Sequence, residues 1–260
     1  MRKKNSKKGD NGRVLVVSGS KDYPGASYLS GVAALRMGAD MVTFAVPEKV
    51  AWTINSLCPD LLTKKFPGEY LSIKHYDKIK KLLLASDVFL IGPGLGKKLS
   101  TKRLIKKIVK NSDLPKVIDA DAIKALCLQD ISNAIITPHE KEYEILLKNS
   151  GIKQNNVLNH IRNNIILLKG PVDTIISREK ITKIKSGNPG MSVGGTGDIL
   201  AGICIGLVSQ GKNKYHSAIS AAKLMGKIGD KLEKKYGYGF IASDFLGEIA
   251  RVNSKYLNIY

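Results

Sequence analysis

Short apolar runs alternate along the chain with longer stretches in which apolar residues return every three or four positions. Residues 14–17, Val14-Leu15-Val16-Val17, end at Gly19, and a loop through Pro24 and Gly25 leads into 26–37, where Leu29, Val32, Ala33 and Leu35 recur near helical spacing. Gly38 is a natural helix stop. Further strands are predicted at 41–46, 87–91, 116–118, 134–136 and 164–168. Helical patterns are predicted over 101–110 and, as short helices, after Asp119-Ala120-Asp121 and after Thr137-Pro138-His139-Glu140. Two β-like runs at 173–177 and 180–185 read as a hairpin at a sheet edge, and from Gly197 onward the chain reads as helices at 198–208, 215–235 and 243–253. This alternation is the pattern of crossover units, so the predicted fold class is α/β, with a mainly parallel central sheet flanked by helices on both faces. At 260 residues one domain over 12–260 is expected, preceded by a basic tail over 1–11; single α/β domains of about 250 residues are routine.

Composition narrows the function classes. Lys and Arg number 42 against 22 Asp and Glu, a net charge of +20, with 25% charged and 43% hydrophobic residues. These proportions fit a globular domain and exclude a collagen-like or disordered chain. No run approaches the roughly 18 apolar residues of a membrane span, and the basic N-terminus is followed by four apolar residues only, too few for a signal peptide. Cys58, Cys127 and Cys204 are odd in number and widely spaced, which points away from disulfides and zinc and toward a reduced, cytoplasmic setting. Of the basic residues 35 are Lys and 7 Arg, and aromatics are 6%, a poor composition for reading bases. In 101–110, Leu104, Ile105, Ile108 and Val109 form a stripe while Lys102, Lys106, Lys107 and Lys110 point elsewhere, a solvated face. The expectation is therefore attraction of small anions, with no nucleic-acid or membrane partner.

The candidate chemistry lies where apolar runs end, the place open α/β sheets put their ligands. The sharpest segment is 187–198, with Gly194, Gly195, Thr196 and Gly197 turning directly into a helix that starts near Asp198. Such a turn converges backbone N–H groups at the positive end of a helix dipole, an anion hole suited to phosphate. Asp198 can be either a helix cap or a general base that takes a hydroxyl proton as that oxygen attacks phosphorus. Gly92, Gly94 and Gly96 bracket Pro93 in a turn that is either a plain loop or a close-approach surface. Lone His139 has no metal-spaced partner and reads as a cap, a surface residue or a ligand contact. Asp119 and Asp121 can cap a helix or hold a cation or ribose hydroxyl, and no catalytic role is assigned to them.

With Asp22-Tyr23-Pro24-Gly25-Ala26, Gly92-Pro93-Gly94-Leu95-Gly96, Asp119-Ala120-Asp121, Thr137-Pro138-His139-Glu140, Lys169-Gly170-Pro171 and the Gly-Thr-Gly-Asp turn in order, the chain resembles the ADP-dependent NAD(P)H-hydrate dehydratase family of the ribokinase-like superfamily, over residues 12–248. The resemblance implies a stand-alone lyase, without the family's N-terminal epimerase domain, that dehydrates the S form of NADHX or NADPHX. It implies ADP or ATP as co-substrate, Mg²⁺, and a homo-oligomer, commonly a tetramer. It implies Asp198 as catalytic base and substrate contact, with Ala26, Gly94, Gly96 and His139 also against the hydrated dinucleotide. Lys169, Gly170, Pro171, Val172 and Asp173, with Gly194, Gly195, Thr196 and Gly197, would hold the nucleotide, and Glu142 would act on Mg²⁺ through water. The nearest rival is a small-molecule alcohol kinase of the same superfamily, such as a vitamin-precursor kinase; a basic nucleic-acid-binding protein is the remote one.

Overall fold

The computed structural model describes residues 5–256, with side chains through Val252. Its first half runs β1 (Arg13–Val17), α1 (Pro24–Arg36), β2 (Met41–Pro47), α2 (Glu48–Leu57), β3 (Leu62–Phe66), α3 (Tyr76–Leu84), β4 (Val88–Ile91), α4 (Leu99–Lys110) and β5 (Lys116–Ile118). The second half runs β6 (Ala134–Ile136), α5 (Glu140–Ser150), α6 (Val157–His160), β7 (Ile165–Leu168), β8 (Asp173–Ile176), β9 (Ile181–Ile184), α7 (Thr196–Ser209), α8 (Lys214–Tyr236) and α9 (Ala242–Tyr256). Among the described residues the strands make one sheet in the order β3-β2-β1-β4-β5-β6-β7-β8-β9. β3 through β7 pair in parallel, and β8 and β9 add antiparallel at one edge, as the hairpin expectation had it.

Side-chain alternation divides two cores. Val14 and Val16 of β1 face one core with α1, α7, α8 and α9, while Leu15 and Val17 face the other with α3, α4 and α5. Both faces are covered, which is why the central strands read as unbroken apolar runs. Helix α7 is buried at every position from Ile199 to Ser209. Its glycines let α1 come to backbone contact: a Cβ on Gly202 would lie 2.2 Å from the Ser30 carbonyl oxygen, and one on Gly206 would lie 2.6 Å from the Met37 Cβ.

Several expectations need correction. α2, β3 and α3 occupy a stretch where no element was predicted. The short helix after Asp119 is a 3-10 turn, Ala120–Ala125. Within the basic tail expected over 1–11, the Gly9 and Asn11 amides both donate to Asp40 Oδ2, at 3.0 and 2.9 Å; residues 1–4 of it lie outside the described ones. Among the described residues no helix is long and apolar enough to cross a membrane.

Candidate active site

The strand order reverses direction between β1 and β4, and in open α/β sheets that switch point opens a crevice at the carboxyl ends. Loops after both strands meet there, with the Gly19 amide donating to the Pro93 carbonyl at 2.8 Å. Gly94 (φ 64°) sits against Tyr23 and Ala26: a Cβ on it would be 2.8 Å from the Tyr23 carbonyl oxygen and 3.3 Å from the Ala26 Cβ. Gly96 (φ 82°) lies beside the Tyr70 ring, which is held by a hydroxyl hydrogen bond to Asp22 at 2.5 Å and by Lys98 Nζ 3.9 Å from its centroid. The structure thus brings Ala26, Gly94 and Gly96 into one wall, and adds Tyr70, which the sequence did not single out.

A chain of charges leads from that wall along the sheet edge. The Gly96 amide donates to Asp121 Oδ2 at 2.9 Å, and Lys124 bridges Asp121 and Glu142 at 3.1 and 3.2 Å. His139 is the N-cap of α5; its Nδ1 accepts from the Glu142 amide while Glu142 Oε2 accepts from the His139 amide, a reciprocal capping box. Its Nε2 lies 3.5 Å from Glu142 Oε1, and half of the side chain is exposed. The cap reading of His139 therefore holds geometrically, and it leaves an exposed ring edge at the site.

Asp119, at the end of β5, is buried, and its Oδ1 accepts from the Thr137 hydroxyl at 2.9 Å and from Lys169 Nζ at 3.0 Å. No side-chain cap bond is made at the 3-10 turn it precedes, so it is not a helix cap. Lys169 follows β7 and projects toward α7, where a Cβ on Gly197 would lie 3.3 Å from its Nζ. Burial pulls its ammonium down, but Asp119 and Glu142 outweigh this and hold it above the ordinary lysine value. Gly170, Pro171 and Val172 form an exposed loop after it, closed by the Gly170 amide on Asp173 Oδ1 at 3.1 Å. Burial raises Asp173 above the usual carboxylate value.

The glycine turn departs from expectation in detail. α7 begins at Thr196 with Gly195 as N-cap in the left-handed region (φ 100°), while Gly197 is already helical. Asp198 is the third residue of the helix, so it does not cap it. The Thr196 hydroxyl, 3.0 Å from both the Met191 and Val193 carbonyls, ties the preceding loop to the helix start. The first amides of α7 lack intrahelical acceptors by construction, and the Asp198 side chain in the same turn is half-buried. Burial, then the Asp119 carboxylate, push Asp198 up to about 8, against the pull of Lys169. A carboxyl titrating near neutrality beside an anion hole can accept a proton during phosphoryl transfer.

No group of three or more His, Cys, Asp and Glu side chains able to hold a metal is found among the described residues. Glu142, the residue expected to act on Mg²⁺ through water, is buried, with Oε1 3.2 Å from Lys124 Nζ and Oε2 accepting from the His139 amide. The residues not foreseen are Lys124 and Tyr70, while Asp119 was singled out without an assigned role. For Asp119 the one signal was its place at the end of an apolar strand.

Comparison with known proteins places this chain in a family. The family model described as NAD(P)H-hydrate dehydratase matches residues 14–251. An ADP-dependent (S)-NAD(P)H-hydrate dehydratase of Nitrosopumilus maritimus is 34% identical over 96% of this chain and 91% of its own length. A bifunctional NAD(P)H-hydrate repair enzyme of Methanothermobacter thermautotrophicus is 36% identical over 96% of this chain and 51% of its own length, so the chain spans about half of such relatives. A ribokinase-like superfamily protein of Enterococcus faecalis superposes with a TM-score of 0.86 at 26% identity, covering 98% of this chain and 91% of that one. With matching sequence from β1 to α9 and a ribokinase-like fold, this chain belongs to the NAD(P)H-hydrate dehydratase family.

Proposed function

We propose that the chain dehydrates the S form of NAD(P)H hydrate, NADHX or NADPHX, to NADH or NADPH, using ADP or ATP. The observation that carries this reading is the half-buried Asp198, raised to about 8, at the mouth of the Gly194–Gly197 turn with Lys169 beside it. A hydroxyl on a reduced nicotinamide ring is a poor leaving group. As that oxygen attacks the terminal phosphorus of the nucleotide, Asp198 takes its proton, and the bond from phosphorus to the nucleotide's bridging oxygen breaks. The first amides of α7 stabilise the moving phosphoryl group. Departure of phosphate from its ring carbon, with loss of a proton from the adjacent ring carbon to solvent, then restores the double bond, so ADP is consumed to AMP plus phosphate. Mg²⁺ held with the nucleotide would neutralise charge on its phosphates.

Ala26, Gly94, Gly96 and His139 form the substrate side of this reading, and Lys169 to Asp173 with Gly194 to Gly197 the nucleotide side. A cytoplasmic homotetramer is proposed with it, checked by sedimentation. The decisive experiment incubates the protein with chemically prepared hydrate plus ADP or ATP and follows the return of reduced-nicotinamide absorbance. A stable phosphorylated alcohol in place of reduced nucleotide would support a kinase instead.

A further inference from the structure

Asp119 and Lys169 are fifty residues apart and leave strands separated by β6, yet they form an ion pair at 3.0 Å with side chains 2% and 20% exposed. Burying such a pair removes two charges from water and is weak evidence for stability by itself. Its geometry has a direction, however. The Thr137 hydroxyl, 2.9 Å from Asp119 Oδ1, fixes the carboxylate from β6. The carboxylate in turn holds the ammonium against the first turn of α7, where a Cβ on Gly197 would meet Nζ at 3.3 Å. A cation at the positive end of a helix is unfavourable unless an anion joins it. The charged groups bearing on this ammonium are Asp119 at the end of β5, Glu142 on α5 and Asp198 on α7. Without Asp119 the carboxylates left to draw the ammonium are Glu142 and Asp198, and pairing with Asp198 would occupy the carboxylate that must accept the proton.

We propose that Asp119 is a positioning residue, which anchors Lys169 so that its ammonium meets the transferred phosphoryl group at the start of α7 and leaves Asp198 free for the hydroxyl proton. The inference rests on the reading of this site as one for phosphoryl transfer from ADP or ATP. Lys169 keeps its protons throughout; it contributes charge and hydrogen bonds to phosphate oxygens while the proton goes to Asp198.

The test is a double-mutant cycle of Asp119→Asn, Lys169→Met and both together, with ADP affinity by calorimetry and kcat and KM for the hydrate measured on each. Each single change should lower kcat about 10- to 100-fold with KM for the hydrate within about threefold, since the phosphoryl contact strengthens in the transition state. The double variant should be no slower than Lys169→Met within about threefold, because Asp119 acts only through the ammonium. Thr137→Val, a gentler change, should lower kcat about three- to tenfold and secures the test if Asp119→Asn fails to fold. Equal losses from Asp119→Asn with and without Lys169 would overturn the proposal, as would unaltered kcat in folded Asp119→Asn or Thr137→Val. If wild-type protein turns over no hydrate, the substrate reading fails and ADP affinity carries the cycle: non-additive losses support the positioning role and additive ones overturn it.

Discussion

Replacing Asp198 with asparagine should remove activity and at the same time stabilise the fold, by an amount that depends on pH. The carboxyl is raised from its ordinary value to about 8, first by burial and second by Asp119. In the folded state it therefore keeps a proton that the unfolded chain has released, so the wild-type fold loses stability as pH rises from about 4 to about 8. Asparagine does not titrate and escapes that loss. Each pH unit inside the window is worth about 1.4 kcal/mol, or about 2.7 kcal/mol between pH 5 and pH 7; solvent access to the half-buried group reduces this to about 2 kcal/mol. For a chain of this size about 2 kcal/mol corresponds to roughly 4–8 °C. The assay is thermal unfolding of both proteins in matched buffers at pH 5 and pH 7, where titrations of groups not coupled to Asp198 cancel in the difference. The advantage of Asp198→Asn should widen by roughly 4–8 °C at the higher pH, while turnover falls about 10²- to 10⁴-fold. A difference that stays constant with pH, or turnover within about tenfold of wild type, would refute the assignment of a buried, neutrality-titrating base.

Gly197→Ala should be as stable as wild type or up to about 1 kcal/mol more so, because the position is helical and alanine favours helix. Its methyl meets Lys169 Nζ at 3.3 Å, so kcat should fall about tenfold as the ammonium is displaced; thermal melts and kinetics check both halves. Gly202→Ala should cost about 3 kcal/mol in urea unfolding, at the upper end of overpacking, because the rigid Ser30 carbonyl lies 2.2 Å from the new carbon. Lys116, fully buried, donates to the Ser112 and Ser132 carbonyls at 2.8 and 2.7 Å, and burial lowers it to about 8. The folded state then binds fewer protons than the unfolded one between about pH 8 and 10.5, so wild type should gain stability relative to Lys116→Met as pH rises through that window, measured by urea unfolding at pH 8 and 10.

Much of the central sheet was legible because β1, β4, β6 and β7 are buried on both faces and carry apolar residues without interruption, as in Val88–Ile91 and Ile165–Leu168. β3 was not, since Leu62–Phe66 is an edge strand with exposed Lys64 and Lys65 and no alternation to read. The glycine turn announced itself through composition, yet which glycine takes the left-handed conformation did not: the N-cap is Gly195, and the helix starts at Thr196, two residues before the expected start near Asp198. Asp119 was seen and left without a role because its partner comes from the second strand along the sheet. Strand order across space, and with it the meeting of Asp119 with Lys169, is a property of the crossover connections and of no local window.

The glycine seam between α1 and α7 acts as a ruler. Ser30 and Ala33 meet Gly202 while Ala34 and Met37 meet Gly206, so the two helices run in the same direction and both begin at the strand ends. Ala26 stands in the first turn of one, Asp198 in the first turn of the other, and Leu29 already touches the Gly195 position between them. With backbone against backbone there is no side-chain layer to compress or slide. The span from Ala26 to Asp198 is therefore set by the fold before any ligand arrives, and adjustment to a ligand falls to the loops around it, where Tyr23 and half of the His139 side chain are exposed.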